Sequence, residues 1–328
     1  MMQDNIWTCP HIDKSSLLVC RVCSHWRAAA LGALELRDNI AVTFRDPRFA
    51  AAHMEMAKSW LPRAGARDLT LGIFFFHSIS NLIIDLVTPL SNQIRTLQLT
   101  SAPIGCLKSL LDLPFGSLPS LCTLDIAFPP PHFLGARKSD AMPETEIFPH
   151  LQNFSILTGW NFLNPEVLPI RWSQLTTLHM ELTGGDLLSL YSVLAQCTSL
   201  STCYLCITEL AVEGSHIAIN PLTLPKITEL TVMLAVSFDY CLSCFIFPAL
   251  STVVIGHAVH LSRQPSLSML PSLASPVLRG LSIKLPCNSN NIPTLLQGCP
   301  NLPKLQMCFD ELVVETHTHS TSLVPQTG

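Results

Sequence analysis

The chain has few charged side chains. Lysine, arginine, aspartate and glutamate make up 13% of its 328 residues, about half of the roughly 25% found in ordinary soluble domains. The net charge of -4 creates no basic field, so nucleic acid is not an expected partner. Because its mean hydropathy is also positive, we expect the chain either to cover much of its surface with a partner or to be poorly soluble alone.

The motifs of several common enzyme classes are also missing. The sequence contains no G-x-x-x-x-G-K-[ST], no G-x-S-x-G and no H-E-x-x-H. Glu209, Glu213 and Glu229 lack an evident partner for acid–base chemistry. We therefore expect a protein that is not an enzyme and that has no catalytic residue, cofactor or metal.

The cysteines do not indicate a disulfide framework. There are 13 of them, scattered without regular spacing, and no apolar signal segment opens the chain. Both features favour a reducing compartment, cytoplasmic and/or nuclear. The C-x-x-C pairs that begin at Cys20, Cys203 and Cys241 could bind zinc, but we prefer to interpret them as cysteines that pack in the core without a metal ion. Residues 230–247 are apolar, yet Asp239 in their middle favours strands over a membrane helix, so no membrane partner is expected.

What the sequence does contain is a recurring phrase, apolar-x-x-apolar-x-apolar. Its copies follow one another at intervals of 23 to 30 residues. They begin at Ala66, Ile94, Leu121, Leu151, Leu175, Leu200, Ile227, Leu250, Leu278 and Leu302. This period is typical of a leucine-rich-repeat solenoid, an α/β fold in which each unit supplies one strand and a return segment. The Asn or Cys that regular units carry after the phrase is missing, so we expect about nine to ten irregular repeats.

The strand phrase separates two faces, because side chains along a strand alternate. Its fourth and sixth positions, from residue 97 to residue 307, are all apolar or cysteine and should face the core. Its fifth position should form a column on the concave side: Gln98, Asp125, Ser155, His179, Tyr204, Thr231, Val254, Ser282 and Gln306. A neutral surface of hydroxyls and amides with one aromatic anchor suits a bound protein. As contacts to an unknown target protein we predict His179, Glu181, Tyr204 and Glu229; the alternative is a solvated face without a partner.

Helices are predicted before and between the strands. Residues 16–32 and 47–60 precede the repeats, whereas residues 186–196 and 292–298 are return segments with helical period. Prolines ahead of many phrases suit turns that enter a strand. In the second helix one side should be shared by Phe49, His53, Met56 and Trp60.

Three segments ahead of the repeats carry a resemblance. Residues 17–30 read Leu-Leu-Val-Cys-Arg-Val-Cys-Ser-His-Trp-Arg-Ala-Ala-Ala and resemble the second half of an F-box. Residues 36–42 (Leu-Arg-Asp-Asn-Ile-Ala-Val) resemble the strand that follows the box in large fungal F-box families. Residues 60–71, which begin Trp-Leu-Pro-Arg-Ala-Gly, are similar to a later segment of the same families.

The resemblance implies a substrate-recognition subunit of a cullin-RING (SCF-type) ubiquitin ligase. The F-box helix would bind the ligase's adaptor subunit, and the repeats would hold a target protein. The resemblance suggests four contacts to the adaptor: Leu17, Val19, Cys20 and Trp26. Alternatively, these residues pack against Met54 and Trp60. For Trp26 we prefer the packing interpretation. Because residues 1–16 lack the Leu-Pro-x-Glu start of a complete box, the alternative is a repeat scaffold that does not bind the adaptor.

These patterns divide the chain into four parts. We expect a disordered N-terminus at 1–15, a partial F-box-like helical region at 16–62, the leucine-rich-repeat solenoid at 63–314 and a disordered tail at 315–328.

Overall fold

The chain adopts a mixed α/β fold built on one large parallel sheet. A computed structural model describes residues 22–32, 38–44, 46–75, 82–114, 116–128, 147–159, 168, 170–183, 187–207, 220–234, 242, 244–257, 277–284 and 304–307. Eleven described strands form the sheet, and they lie in it in the order in which they occur along the chain. Each strand of this sheet therefore pairs with the sheet strands that precede and follow it along the chain.

The strands are short, and all of their pairings are parallel. In the large sheet they are β1 (Asn39–Phe44), β2 (Leu69–Phe75), β3 (Ile94–Thr100), β4 (Thr123–Ala127), β5 (Asn153–Gly159), β6 (Thr177–Thr183), β7 (Thr202–Ile207), β9 (Glu229–Leu234), β11 (Thr252–His257), β12 (Gly280–Lys284) and β13 (Lys304–Met307). The two remaining strands, β8 (Leu222–Thr223) and β10 (Phe245–Ile246), pair only with each other.

Within the described ranges, five α-helices lie before or between the strands. They are α1 (Ser24–Gly32), α2 (Ala50–Trp60), α3 (Leu82–Val87), α4 (Ile104–Leu111) and α5 (Leu187–Gln196). Single 3-10 turns occur at Pro47–Phe49, Leu61–Ala64, Thr88–Leu90 and Trp172–Gln174. The predicted helices at 47–60 and 186–196 are confirmed, whereas the one at 292–298 lies outside the described residues. In the part of the chain covered here, no helix is both long and apolar enough to span a membrane.

The core lies under one face of the sheet. The predicted apolar column is buried from β3 to β12, beginning with Leu97 and Leu99 and ending with Leu281 and Ile283. These side chains form a single cluster with buried residues of α3, α4 and α5. Removing so many large apolar side chains from water is the main stabilising contribution to the fold.

The first copy of the phrase is displaced from its predicted phase. The sequence aligned Leu69 with Leu97, but in the sheet Leu71 pairs with Leu97, and Leu69 pairs with Ile94. The register shifts between Leu69 and Thr70, because β2 has one residue fewer than β3 at this point. Both Leu69 and Leu71 remain fully buried, which explains why the apolar pattern alone could not distinguish the two alignments.

A ladder of hydroxyl groups runs along the strand entries. Thr176, Ser201, Thr228 and Ser251 each precede a strand by one residue. Each donates its hydroxyl to the main-chain carbonyl of the equivalent residue one strand earlier, at 2.9 to 3.3 Å. The same carbonyls accept main-chain N–H groups of the next strand entry. Neighbouring strands are thus joined by side-chain hydrogen bonds at their amino ends.

The first two helices differ from their predicted packing. The buried side of α2 consists of Ala50, Met54, Ala57 and Trp60, whereas Phe49 is 55% exposed. The side predicted from the sequence is therefore not the buried side of the helix: of its four residues only Trp60 is buried, and the helix begins after a 3-10 turn. On α1, Trp26 is 53% exposed, so the preferred interpretation of this residue as packed is wrong as well.

Candidate binding face

The residues that point away from the core form three columns across the sheet, because neighbouring strands are in register. We call this surface, on β3–β7, β9 and β11–β13, the polar face. Its middle column is the one predicted from the sequence: Gln98, Asp125, Ser155, His179, Tyr204, Thr231, Val254, Ser282 and Gln306. Gly72 on β2 and Ala41 on β1 extend it toward the edge of the sheet. The predicted register of the face is confirmed.

His179 and Tyr204 form an aromatic pair at the middle of this column. They occupy paired positions on β6 and β7, and their ring centroids lie 4.0 Å apart with the ring planes tilted by 50°. Burial lowers the pKa of His179, although the nearby carboxylates Glu181 and Asp125 oppose that effect. The imidazole is therefore mainly neutral at pH 7, and its Nε2 is buried without a hydrogen-bond partner among the described residues.

Glu181 lies beside this pair, two residues after His179 on the same strand. Its charge acts on three neighbours: it opposes the lowering of the His179 pKa, and it adds to the increase that burial causes in the pKa of Tyr204 and of Cys206. The pKa of the Cys206 thiol reaches about 11, so this cysteine stays protonated at neutral pH. The structure therefore brings three of the four predicted target contacts together.

The fourth predicted contact lies apart from this group. Glu229 is exposed and belongs to the first column of the polar face, where it pairs with Thr202 and Thr252. Glu229 lies one strand away from Tyr204 across the sheet, a spacing of about 4.8 Å, and two residues back along that strand, about 6.6 Å. A partner that contacted Glu229 as well as His179 would have to lie obliquely across several strands.

The middle of the polar face is negatively charged. On β4, β5, β6, β7 and β9 the outward positions hold Asp125, Glu181 and Glu229 but no lysine or arginine. Asp125 accepts a hydrogen bond from Nε2 of Gln98 at 3.0 Å. Further along the sheet, the first basic outward residue whose side chain the structure describes is Lys304 in β13. Since the His179 pKa is lowered, its ring does not offset the carboxylates near pH 7.

The third column contains Glu181, which was predicted as a target contact. Its other members near Glu181 are apolar residues that were not singled out from the sequence. Leu157 pairs with Glu181, and Cys206 lies between Glu181 and Met233. Cys206 is buried, whereas Leu157 and Met233 are half-buried. The alternation that predicted the middle column also predicts these positions, since they are the seventh of each phrase. The Glu181 carboxylate is thus bordered by apolar side chains on both sides.

The structure describes one of the four predicted adaptor contacts. Trp26 lies on α1, and the same stretch of chain exposes 69% of Val22. Leu17, Val19 and Cys20 lie outside the described residues. Trp26 therefore belongs to an exposed apolar surface, which is the placement a contact residue requires.

One C-x-x-C pair, Cys203 and Cys206, lies entirely within the described residues, and its two side chains point to opposite faces of the sheet. Cys203 belongs to the buried apolar column and Cys206 to the third column of the opposite face, as their spacing predicts. Among the described residues no three His, Cys, Asp or Glu side chains are grouped to hold a metal ion. No disulfide joins the described cysteines.

The sequence matches no known protein-family profile, and it has no significant match among curated proteins.

Proposed function

We propose that this chain is a leucine-rich-repeat-type solenoid that serves as the substrate-recognition subunit of a cullin-RING ubiquitin ligase. In this proposal the polar face is the concave face and holds the target protein. The helix α1 binds the ligase's adaptor subunit, and the chain itself carries out no covalent chemistry. The observation that carries the proposal is the unbroken column of nine registered polar-face residues, from Gln98 to Gln306, above a continuous apolar core.

The solenoid part of the proposal is supported by the order of the strands. A fold made of repeated strand-and-return units pairs each strand with the next along the chain. The large sheet has this order throughout, apart from the separate pair of β8 and β10. The spacing of the phrase agrees with the side-chain hydrogen bonds of the hydroxyl ladder, which join residues 23 to 27 positions apart.

Target binding is supported by the chemistry of the polar face. Its middle combines an aromatic pair, hydroxyl side chains and carboxylates that are partly exposed. Protein interfaces concentrate binding energy at buried aromatic residues that are surrounded by polar contacts. Tyr204 is half-buried at the centre of the face, which suits it to be such an anchor.

Adaptor binding is supported by the exposure of Trp26 within the segment that resembles an F-box. A tryptophan that is 53% exposed leaves a large apolar surface in water. Burying that surface against another protein removes the unfavourable hydration. A plain repeat scaffold would use the same polar face but would not need this residue.

Co-elution of the purified chain with a purified cullin adaptor subunit tests the ligase role. We expect a complex in size-exclusion chromatography, with affinity reduced at least about tenfold by Trp26→Ala. Ile246→Ala is the matched control, because Ile246 is also exposed but lies on β10. If the adaptor does not bind, even when an upstream F-box segment is added, the ligase role is wrong and the scaffold alternative remains.

A bulky charge at the centre of the polar face tests target binding. Ser155→Arg places a long cation between Asp125 and His179, whereas Ser192→Arg adds the same charge on the exposed side of α5. We expect proteins that co-purify with the wild-type chain to be lost from the first variant and kept by the second. An unchanged set of proteins with Ser155→Arg, in a folded variant, would exclude the polar face as the binding site.

A further inference from the structure

The site formed by Glu181, His179, Tyr204 and Asp125, which we call the Glu181 site, has the features of a receptor for a planar cation. Glu181 is half-buried and, within the described part of the chain, no hydrogen bond or ion pair engages its carboxylate. Partial burial strengthens the attraction of this carboxylate for a cation, since nearby water screens it less than at an open surface. An acceptor of this kind, left without an internal partner, is suited to an external donor.

Tyr204 adds a second, independent feature. Its ring is half-buried against His179, and it lies diagonally across from Glu181, which pairs with Cys206 two residues further along β7. The face of an aromatic ring attracts cations, and guanidinium groups stack on it. A carboxylate and an aromatic ring together therefore select a flat positive group more strongly than either does alone.

The surroundings favour a long side chain that ends in a cation. Leu157 on one side of Glu181 and Met233 beyond Cys206 on the other side are half-buried apolar residues. Arginine carries an apolar stem below its charged head and can pack that stem along such residues. Lysine shares the stem, but it lacks the planar fork that pairs with a carboxylate in two parallel hydrogen bonds.

We propose that the Glu181 site binds an arginine side chain of the partner protein, with the guanidinium between the Glu181 carboxylate and the Tyr204 ring. Asp125 and Glu229 supply the wider negative field that attracts a basic segment of the partner. This inference rests on the proposed use of the polar face for protein binding. It goes further by naming the chemistry of the partner: an exposed basic segment that contains arginine.

The test uses the full chain and a fluorescein-labelled peptide in which arginines alternate with glycine and serine. Fluorescence anisotropy measures its affinity, alongside versions in which lysine or glutamine replaces arginine. We expect saturable binding of the arginine peptide, binding about fivefold weaker for lysine, and none for glutamine. Raising the salt from about 50 mM to about 500 mM should weaken the binding of the arginine peptide several-fold.

Variants of the chain then locate the peptide. Glu181→Gln keeps the shape of the side chain and should weaken binding about tenfold, and Tyr204→Leu should do the same. Tyr204→Phe retains the ring and should stay within about twofold of the wild type. The matched control is Glu55→Gln on α2, which removes the same charge from an exposed site away from the polar face. Circular dichroism and urea midpoints confirm that each variant is folded.

Two outcomes would overturn the inference. One is that the arginine peptide binds no better than the glutamine peptide. The other is that Glu55→Gln reduces binding as much as Glu181→Gln does, which would mean that only the overall charge matters. The inference can fail while the proposed function stands: if Ser155→Arg abolishes partner capture but Glu181→Gln leaves both capture and peptide binding unchanged, the face binds a protein without an arginine in this site.

Discussion

Two strand glycines that look equivalent in the sequence should respond oppositely to alanine. Gly256 in β11 and Gly280 in β12 lie on neighbouring strands. A Cβ added at Gly256 would lie 2.6 Å from Sδ and 2.9 Å from Cε of Met233. A Cβ at Gly280 would meet only Cγ2 of Thr252, at an ordinary 3.9 Å. Met233 therefore occupies the space above Gly256, and nothing comparable covers Gly280.

The expected magnitudes follow from this geometry. Alanine in place of glycine in a strand raises the free energy of unfolding by roughly 0.5–1 kcal/mol when nothing obstructs its Cβ. We expect this increase for Gly280→Ala. For Gly256→Ala the thioether must move by about 1 Å to reach a normal contact distance. Displacing it costs about 1–2 kcal/mol, near the low end for overpacking because the end of a methionine side chain is flexible. The net effect of Gly256→Ala should be between neutral and about 1.5 kcal/mol destabilising.

Urea unfolding measures these changes in the free energy of unfolding. The proteins compared are the wild type, both alanine variants, Met233→Ala and the double variant Met233→Ala/Gly256→Ala. Removing the thioether should convert Gly256→Ala into a gain of about 0.5 kcal/mol, giving a coupling energy of about 1–2 kcal/mol. The two glycines serve as controls for each other because they probe adjacent strands of one sheet. If both alanine variants stabilise equally, or if the coupling is zero within error, Met233 does not cover Gly256 as described.

Three further perturbations probe other parts of the structure. Ser201→Ala removes one hydrogen bond of the hydroxyl ladder and should cost about 0.5–1.5 kcal/mol by urea unfolding, whereas exposed Ser192→Ala should cost almost nothing; equal effects would contradict the ladder's role. Burial lowers the folded-state pKa of His179, so the unfolded chain gains the proton first, and stability should fall as the pH drops below about 6.5. His179→Gln should reduce that fall between pH 7.5 and 5.5 in urea midpoints, and an unchanged pH profile would contradict it. Trp60→Ala should cost about 3–5 kcal/mol because Trp60 is 7% exposed, whereas Trp26→Ala should change thermal stability by less than about 0.5 kcal/mol; a large loss with Trp26→Ala would mean that this side chain is packed.

Periodicity predicted the regular part of the sheet well. A two-residue alternation assigns side chains to faces without knowledge of the partner strands, so the column from Gln98 to Gln306 could be written down in advance. It also predicted that Cys203 and Cys206 belong to opposite faces. The pattern failed at β2, where Leu69 and Leu71 satisfy the apolar positions in either alignment and only strand pairing selects one of them.

The candidate site was predictable in part. The identity of His179, Glu181 and Tyr204 as outward residues followed from the phrase. Their interaction did not, because the 4.0 Å approach of the two rings and the position of Glu181 depend on rotamers and on the register of β6 with β7. Glu229 shares the same face, yet it lies in another column, and a list of outward residues cannot show that separation.

The amino-acid sequence by itself determined where the strands that carry the repeated phrase lie from β3 onward, and which side of each is apolar, because these depend on local spacing. Only the tertiary structure decided that β1 continues the sheet, that Trp26 is exposed while Trp60 is buried, and that Ser and Thr hydroxyls join the strand entries. Each of these features joins residues 23 to 31 positions apart or depends on how a helix is rotated against the sheet. Local patterns carry no information about such contacts, since they arise only when the chain packs.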